Sequence, residues 1–141
     1  MKPAKKVLIV DDEPDILLML RVDLEAEGYE TTLAADGETA LRRICEERPD
    51  LVLLDVMMPV VDGWGVLQRM SAGGHWAPVV VVSAKANEQD AVRALELGAT
   101  EYVVKPFDPT LLLSTVADVL SSSPGDLDAN RRRRLHELTG N

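Results

Sequence analysis

Four short stretches of this chain are apolar without interruption: Val7-Leu8-Ile9-Val10, Leu51-Val52-Leu53-Leu54, Val79-Val80-Val81-Val82 and Tyr102-Val103-Val104. A strand with one face in water alternates polar and apolar residues, whereas a strand covered on both faces does not. Runs of this length therefore call for a parallel sheet sandwiched between helices. Tyr29 to Leu33 is a weaker candidate for a further strand.

The segments between the runs carry helical spacing, with Leu17, Leu20 and Leu24 in the first, Leu41, Ile44 and Cys45 in the second, and Ala91, Ala94 and Leu95 in the fourth. Gly28 and Gly98 stand where the first and fourth should stop. The third helix is expected from Trp64 to Met70, before Ser71-Ala72-Gly73-Gly74. The fifth is expected from Pro109 to Leu120, with Asp108 as N-cap and Pro109 at the first helical position. Five β-α units joined by right-handed crossovers give an α/β fold, a five-stranded parallel sheet doubly wound in flavodoxin-like order. Its ligand site lies at the carboxyl ends of the strands, near the reversal of winding.

A length of 141 residues with 46% apolar content fits one domain with a short tail. We expect the domain over residues 1–120, a linker over 121–125 (Ser121-Ser122-Ser123-Pro124-Gly125) and a tail over 126–141, helical if ordered and too short to fold alone. No apolar run reaches the length of a membrane span and no signal peptide follows Met1, so a soluble, cytoplasmic protein is expected. Cys45 is the single cysteine, which excludes an internal disulfide, and His75 and His136 have no metal-ligand spacing. A formal net charge of −9 argues against nucleic-acid binding through the general field of the body. Only the run Arg131-Arg132-Arg133-Arg134 could make a local contact. On a helix those four side chains fan through about 300°, so about two at most face one duplex.

In such a fold the residues just past each strand meet on one rim. Here they are Asp11-Asp12-Glu13, Asp55, Ser83 and Lys105-Pro106. A lone acid after a strand is usually a cap, and a lone lysine before proline is usually a surface turn. Several acids, a hydroxyl and an ammonium, each at the end of a different apolar strand, make a different case. Packed carboxylates repel one another unless a cation neutralises them. Oxygen donors without His or Cys point to Mg²⁺, with Mn²⁺ as surrogate.

Over roughly residues 5–120 the sequence resembles the receiver domains of bacterial response regulators, of the chemotaxis-regulator type. The resemblance is carried by Val7-Leu8-Ile9-Val10-Asp11-Asp12-Glu13-Pro14, by Leu54-Asp55-Val56-Met57-Met58-Pro59-Val60-Val61-Asp62-Gly63, by Ser83-Ala84 and by Tyr102-Val103-Val104-Lys105-Pro106-Phe107. It implies that Asp55 accepts a phosphoryl group from a sensor histidine kinase or a phosphotransfer protein. It further implies that Asp12, Asp55 and the backbone carbonyl of Met57 ligate Mg²⁺, with Asp11 acting mainly through a metal-bound water. Lys105 and Ser83 would contact the phosphoryl group, and Ser83 and Tyr102 would form the switch that alters the face of helix four, strand five and helix five. A cis bond before Pro106 is implied as well. Such a protein is a signalling switch rather than an enzyme, limited to self-phosphorylation and autodephosphorylation, and is a monomer or a phosphorylation-dependent dimer. Met57 and Lys85 depart from the family at positions lining the path of the hydrolytic water.

Two rival readings are weaker. A phosphohydrolase of the haloacid dehalogenase type looks for a second acid two residues after its aspartyl nucleophile, where this chain has Met57. A flavodoxin-like cofactor carrier needs a phosphate cradle after strand one, where Asp11-Asp12-Glu13 would repel phosphate. In the fifth helix Asp118 is the only charge, and Leu111 falls beside Ser114 and Asp118 on the polar side. A dimer through that face would therefore be largely apolar.

Overall fold

The computed structural model describes residues 3–56, 62–73, 77–84 and 87–140. The chain alternates strand and helix five times, as β1 (Lys6–Val10), α1 (Pro14–Ala26), β2 (Glu30–Ala34), α2 (Gly37–Glu47), β3 (Leu51–Leu54), α3 (Gly63–Gly73), β4 (Val79–Ser83), α4 (Glu88–Glu96), β5 (Glu101–Val104) and α5 (Pro109–Ser121), and adds α6 (Pro124–Thr139). The sheet is parallel throughout, in the order β2-β1-β3-β4-β5. This is the doubly wound arrangement that the uninterrupted apolar runs require. β1 and β3 are adjacent, with Val7 opposite Leu51 and Val10 opposite Leu54, and the winding reverses beside β1.

Strand residues divide by parity between two cores, as a period of two dictates. Leu8, Val10, Val52, Leu54, Val79 and Val81 meet Ile44 of α2, Trp64 and Leu67 of α3 and Ala94 of α4 on one face. Val7, Ile9, Leu51, Leu53, Val80 and Val82 meet Leu20 and Leu24 of α1 and Leu112 and Val116 of α5 on the other. Burying both faces of β1, β3 and β4 explains why those strands have no polar alternation.

Local chemistry sets most of the boundaries. α1 ends where Gly28 takes φ +91°, and the N–H of Tyr29 turns back to donate to the Leu24 carbonyl. That bond ties Tyr29 to the helix end, so β2 begins one residue later than the sequence suggests. Asp36, Asn87 and Asp108 cap α2, α4 and α5 by accepting backbone N–H bonds from Thr39, Asp90 and Thr110.

Three expectations are corrected. The buried stripe of α2 is Gly37, Ala40 and Ile44, while Cys45 is exposed, because it lies about 100° beyond Ile44 on the helix. Helix α3 runs through Ser71 to Gly73 rather than stopping at Met70: Ala72 is a strong helix former, and Gly73, a poor one, is its last residue. The stretch 121–125 is not a linker along its length: Ser121 closes α5 and Pro124 opens α6, with only Ser122 and Ser123 between. Proline at the first helical position needs no intrahelical partner for the N–H it lacks, and the Ser123 hydroxyl caps the helix by accepting the Asp126 N–H.

Candidate functional site

The carboxyl ends of β1 and β3 bring Asp11 and Asp55 together. Each backbone is fastened by one more bond beyond its strand: Asp11 N–H donates to the Ala34 carbonyl at 3.1 Å, and Asp55 N–H to the Val10 carbonyl at 2.9 Å. Both side chains are buried, as is Ser83 at the end of β4. Asp12 and Glu13 lie on the exposed loop that follows β1.

Lys105 closes the group from just past β5, where its N–H donates to the Ser83 carbonyl at 2.8 Å. Its ammonium lies 2.7 Å from Asp11 Oδ2, 3.3 Å from Asp55 Oδ2 and 3.6 Å from Glu13 Oε1. Burial alone would lower the lysine's pKa, but the hydrogen bond to Asp11 and the charges of Asp11 and Asp55 outweigh it, so the ammonium is held more firmly protonated than usual. The Lys105–Pro106 peptide bond is cis.

Asp11, Asp12, Glu13 and Asp55 each offer one oxygen, all within 4.8 Å of one another. Three of these four carboxyl groups share the Lys105 ammonium, and the donor set is entirely oxygen. This fits a small hard cation such as Mg²⁺. Met57, whose carbonyl the resemblance adds to that set, lies outside the described residues, as do Lys85 and His75.

Tyr102 is buried beside the site, its phenol sharing a hydrogen bond with the Ser83 side chain. Burial pushes its pKa above the ordinary tyrosine value, against the lowering effect of Ser83, and nearby Asp90 and Asp55 push the same way as burial.

Two participants have no role assigned from the sequence alone. Glu13 reaches both the lysine and the carboxylate cluster, and its place directly after Asp12 is the only signal for it. Gly63 opens α3 so close to β3 that an added Cβ would fall on Val56 Cα and stand 2.5 Å from the Asp55 carbonyl oxygen. The glycine sets how near α3 approaches the backbone carrying Asp55. Beside it, Asp62 accepts the Gly65 N–H at the start of that helix.

Similarity to known proteins agrees with this arrangement. The chain is 42% identical over 119 residues to the alkaline phosphatase synthesis transcriptional regulatory protein PhoP of Bacillus subtilis, a match covering 84% of this chain and 50% of the relative. The chain thus spans about half the length of the curated relatives it matches. Among solved structures, the chemotaxis protein CheY4 of Vibrio cholerae superposes with a TM-score of 0.76 at 34% identity, over 83% of this chain and 99% of that one. The beryllofluoride-activated N-terminal receiver domain of Klebsiella pneumoniae RstA does so with a TM-score of 0.78 at 28% identity, over 84% and 100%. Residues 7–117, which hold the whole carboxylate and lysine cluster, match the family model of the response regulator receiver domain. The chain belongs to the response regulator receiver family of two-component signalling.

Proposed function

We propose that this chain is a phosphorylation-dependent switch in which Asp55 accepts a phosphoryl group from a sensor histidine kinase or a histidine phosphotransfer protein. The observation that carries the reading is the convergence of the Lys105 ammonium and the Asp11 carboxylate on Asp55 at the switch point of the sheet. An Asp55 oxygen attacks phosphorus, the new P–O bond forms as the donor's P–N bond breaks, and the imidazole keeps the electron pair. Charge on the transferring group is spread over its equatorial oxygens. Lys105 is placed to neutralise part of it without rearrangement, because Asp11 already holds the ammonium in position. Asp12, Asp55, the Met57 carbonyl and Asp11, the last through water, would hold Mg²⁺, or Mn²⁺ in its place, which supplies the rest of the positive charge.

Ser83 can donate to a phosphoryl oxygen, and Tyr102, buried against it, follows its position. The altered surface is that of α4, β5 and α5, which reports to a downstream protein. The signalling unit is residues 1–120, acting in the cytoplasm as a monomer or a phosphorylation-dependent dimer, with no turnover beyond self-phosphorylation and autodephosphorylation. Among the described residues no helix is long and apolar enough to cross a membrane.

The test is incorporation from acetyl phosphate with Mg²⁺. One acid-stable, hydroxylamine-labile phosphoryl group is expected per chain, absent from Asp55→Asn and lost with excess chelator. A full equivalent on the Asp55→Asn protein would remove Asp55 from this role, and full incorporation in chelator would remove the metal.

A further inference from the structure

Helix α6 is not a solvated tail. Leu127, Arg131, Arg134 and Leu138 recur at spacings of four, three and four residues, which places them on one helical stripe. That stripe is buried or half-buried, while Arg132 and Arg133 between its members are exposed. Leu127 enters the core beside Val116 and Val119 of α5. Arg131 donates to the Leu95 carbonyl in the last turn of α4 at 3.1 Å and to Asp128 of its own helix at 2.7 Å. A guanidinium on that carbonyl meets the negative end of the α4 dipole. Arg134 pairs with Glu101, the first residue of β5.

Glu101 joins this helix to the switch strand. The oxygen that receives Arg134, Oε1, also accepts the N–H of Tyr102 at 3.2 Å. Among the described residues β5 is an edge strand, paired only with β4, so a contact at Glu101 anchors a strand otherwise held on one side of the sheet. In the same structure Tyr102 lies buried against Ser83. Seated α6, anchored Glu101 and inward Tyr102 thus form one continuous arrangement. β5 is the element shared by both ends: it carries Glu101 and Tyr102, so each end biases it.

We propose that α6 is a built-in partner of the α4–β5–α5 end, coupled through Glu101 to the Ser83–Tyr102 switch, so that occupancy of Asp55 by a phosphoryl group and seating of α6 strengthen each other. The proposal rests on the phosphoacceptor reading of Asp55. Linkage makes it reciprocal: whatever factor the phosphoryl group adds to seating of α6, seating adds to phosphoryl-group binding. A protein that uses the surface under α6 must then displace this helix, with greater difficulty when Asp55 is occupied.

The test uses the full chain with beryllofluoride and Mg²⁺ as a reversible phosphoryl analogue, comparing wild type with Arg134→Gln, Arg134→Lys and Glu101→Gln. Amide hydrogen exchange over residues 127–138 reads seating, and tryptophan fluorescence titration reads beryllofluoride affinity. Exchange in wild-type α6 is expected to slow by about fivefold or more on binding, at the lower end of ordinary coupling. Arg134→Gln and Glu101→Gln should speed α6 exchange and weaken beryllofluoride by a matching factor, and Arg134→Lys should recover part of both. Unchanged α6 exchange in a wild type that binds beryllofluoride, or looser α6 with unaltered affinity in the variants, would overturn the coupling. Equal binding by wild type and Asp55→Asn would instead overturn the phosphoacceptor reading, a result the other two outcomes do not produce.

Discussion

Lys105 and Asp55, fifty residues apart in sequence, meet with Nζ 3.3 Å from Oδ2 in a largely buried contact. The same ammonium serves Asp11, so it occupies part of the field that a divalent cation would share. Two cations near the same carboxylates repel each other. Lys105→Gln is therefore expected to bind Mg²⁺ several-fold more tightly, while incorporating phosphoryl groups from acetyl phosphate more slowly by about tenfold or more. Fluorescence titration and a phosphorylation time course measure the two. Unchanged Mg²⁺ affinity would mean that lysine and metal do not share the site.

Gly63→Ala sets a methyl group against Val56 and the Asp55 carbonyl, and both obstacles are backbone. Neither can give way without moving the end of β3. Overpacking of this kind costs about 1–3 kcal/mol. Urea unfolding should show that loss, and phosphorylation should slow as well, because the carbonyl in the way belongs to Asp55 itself. A variant as stable and as readily phosphorylated as wild type would show that α3 can retreat freely.

Asp36 caps α2 with its carboxylate, and the backbone N–H of Thr39 holds its pKa below the ordinary aspartate value. A carboxylate with a lowered folded pKa contributes stability that is complete above its unfolded pKa, about 3.9, and is lost as pH falls through the folded value. Asp36→Ala should thus be less stable than wild type at pH 7, and the gap should narrow as pH drops below about 4. Thermal unfolding at several pH values tests this, and a gap independent of pH would contradict the cap's electrostatic share.

Exposed apolar groups mark the α4–β5–α5 face, with Leu111 63% and Val104 37% exposed. Glu101 is already engaged by Arg134, and Asp118 is the single charge on α5. A phosphorylated dimer formed on this face should persist between about 0.1 and 1 M salt, over which the Debye length falls from about 10 to about 3 Å. Analytical ultracentrifugation reads the result, and steep dissociation with salt would point to charge pairing instead.

The arginine run is mostly occupied within the chain. Arg131 and Arg132 pair with Asp128, Arg134 pairs with Glu101, and Arg133 donates to Asn130. On an acidic body, these arginines leave little charge for counterion release. The full chain is expected to bind random duplex DNA no tighter than about 10⁻⁶ M at physiological salt. Sub-micromolar binding in a mobility-shift assay would show that the helix can release its arginines to phosphate.

Strand positions, sheet type and the residues on the site rim were all legible in the amino-acid order. Each depends on local signals: a strand buried on both faces has no room for polar alternation, and the fold sends the residue after every strand to the same edge. What packs against a surface is not local, and there the sequence underdetermines the answer. Pro124 reads as a breaker in isolation, yet starts α6 because Ser123 caps it. Four consecutive arginines read as a solvated run until Leu127 enters the core and turns Arg131 and Arg134 toward Leu95 and Glu101. The closeness of Gly63 to Asp55 and the reach of Glu13 to Lys105 likewise depend on how α3 and the loop after β1 settle on the sheet. Sequence by itself determined which residues could do chemistry, because hydrophobic period and strand ends are properties of neighbours along the chain. Tertiary structure alone decided which charges are paired and which helix reaches Glu101 of β5, because those contacts join residues up to 94 positions apart whose meeting is set by packing.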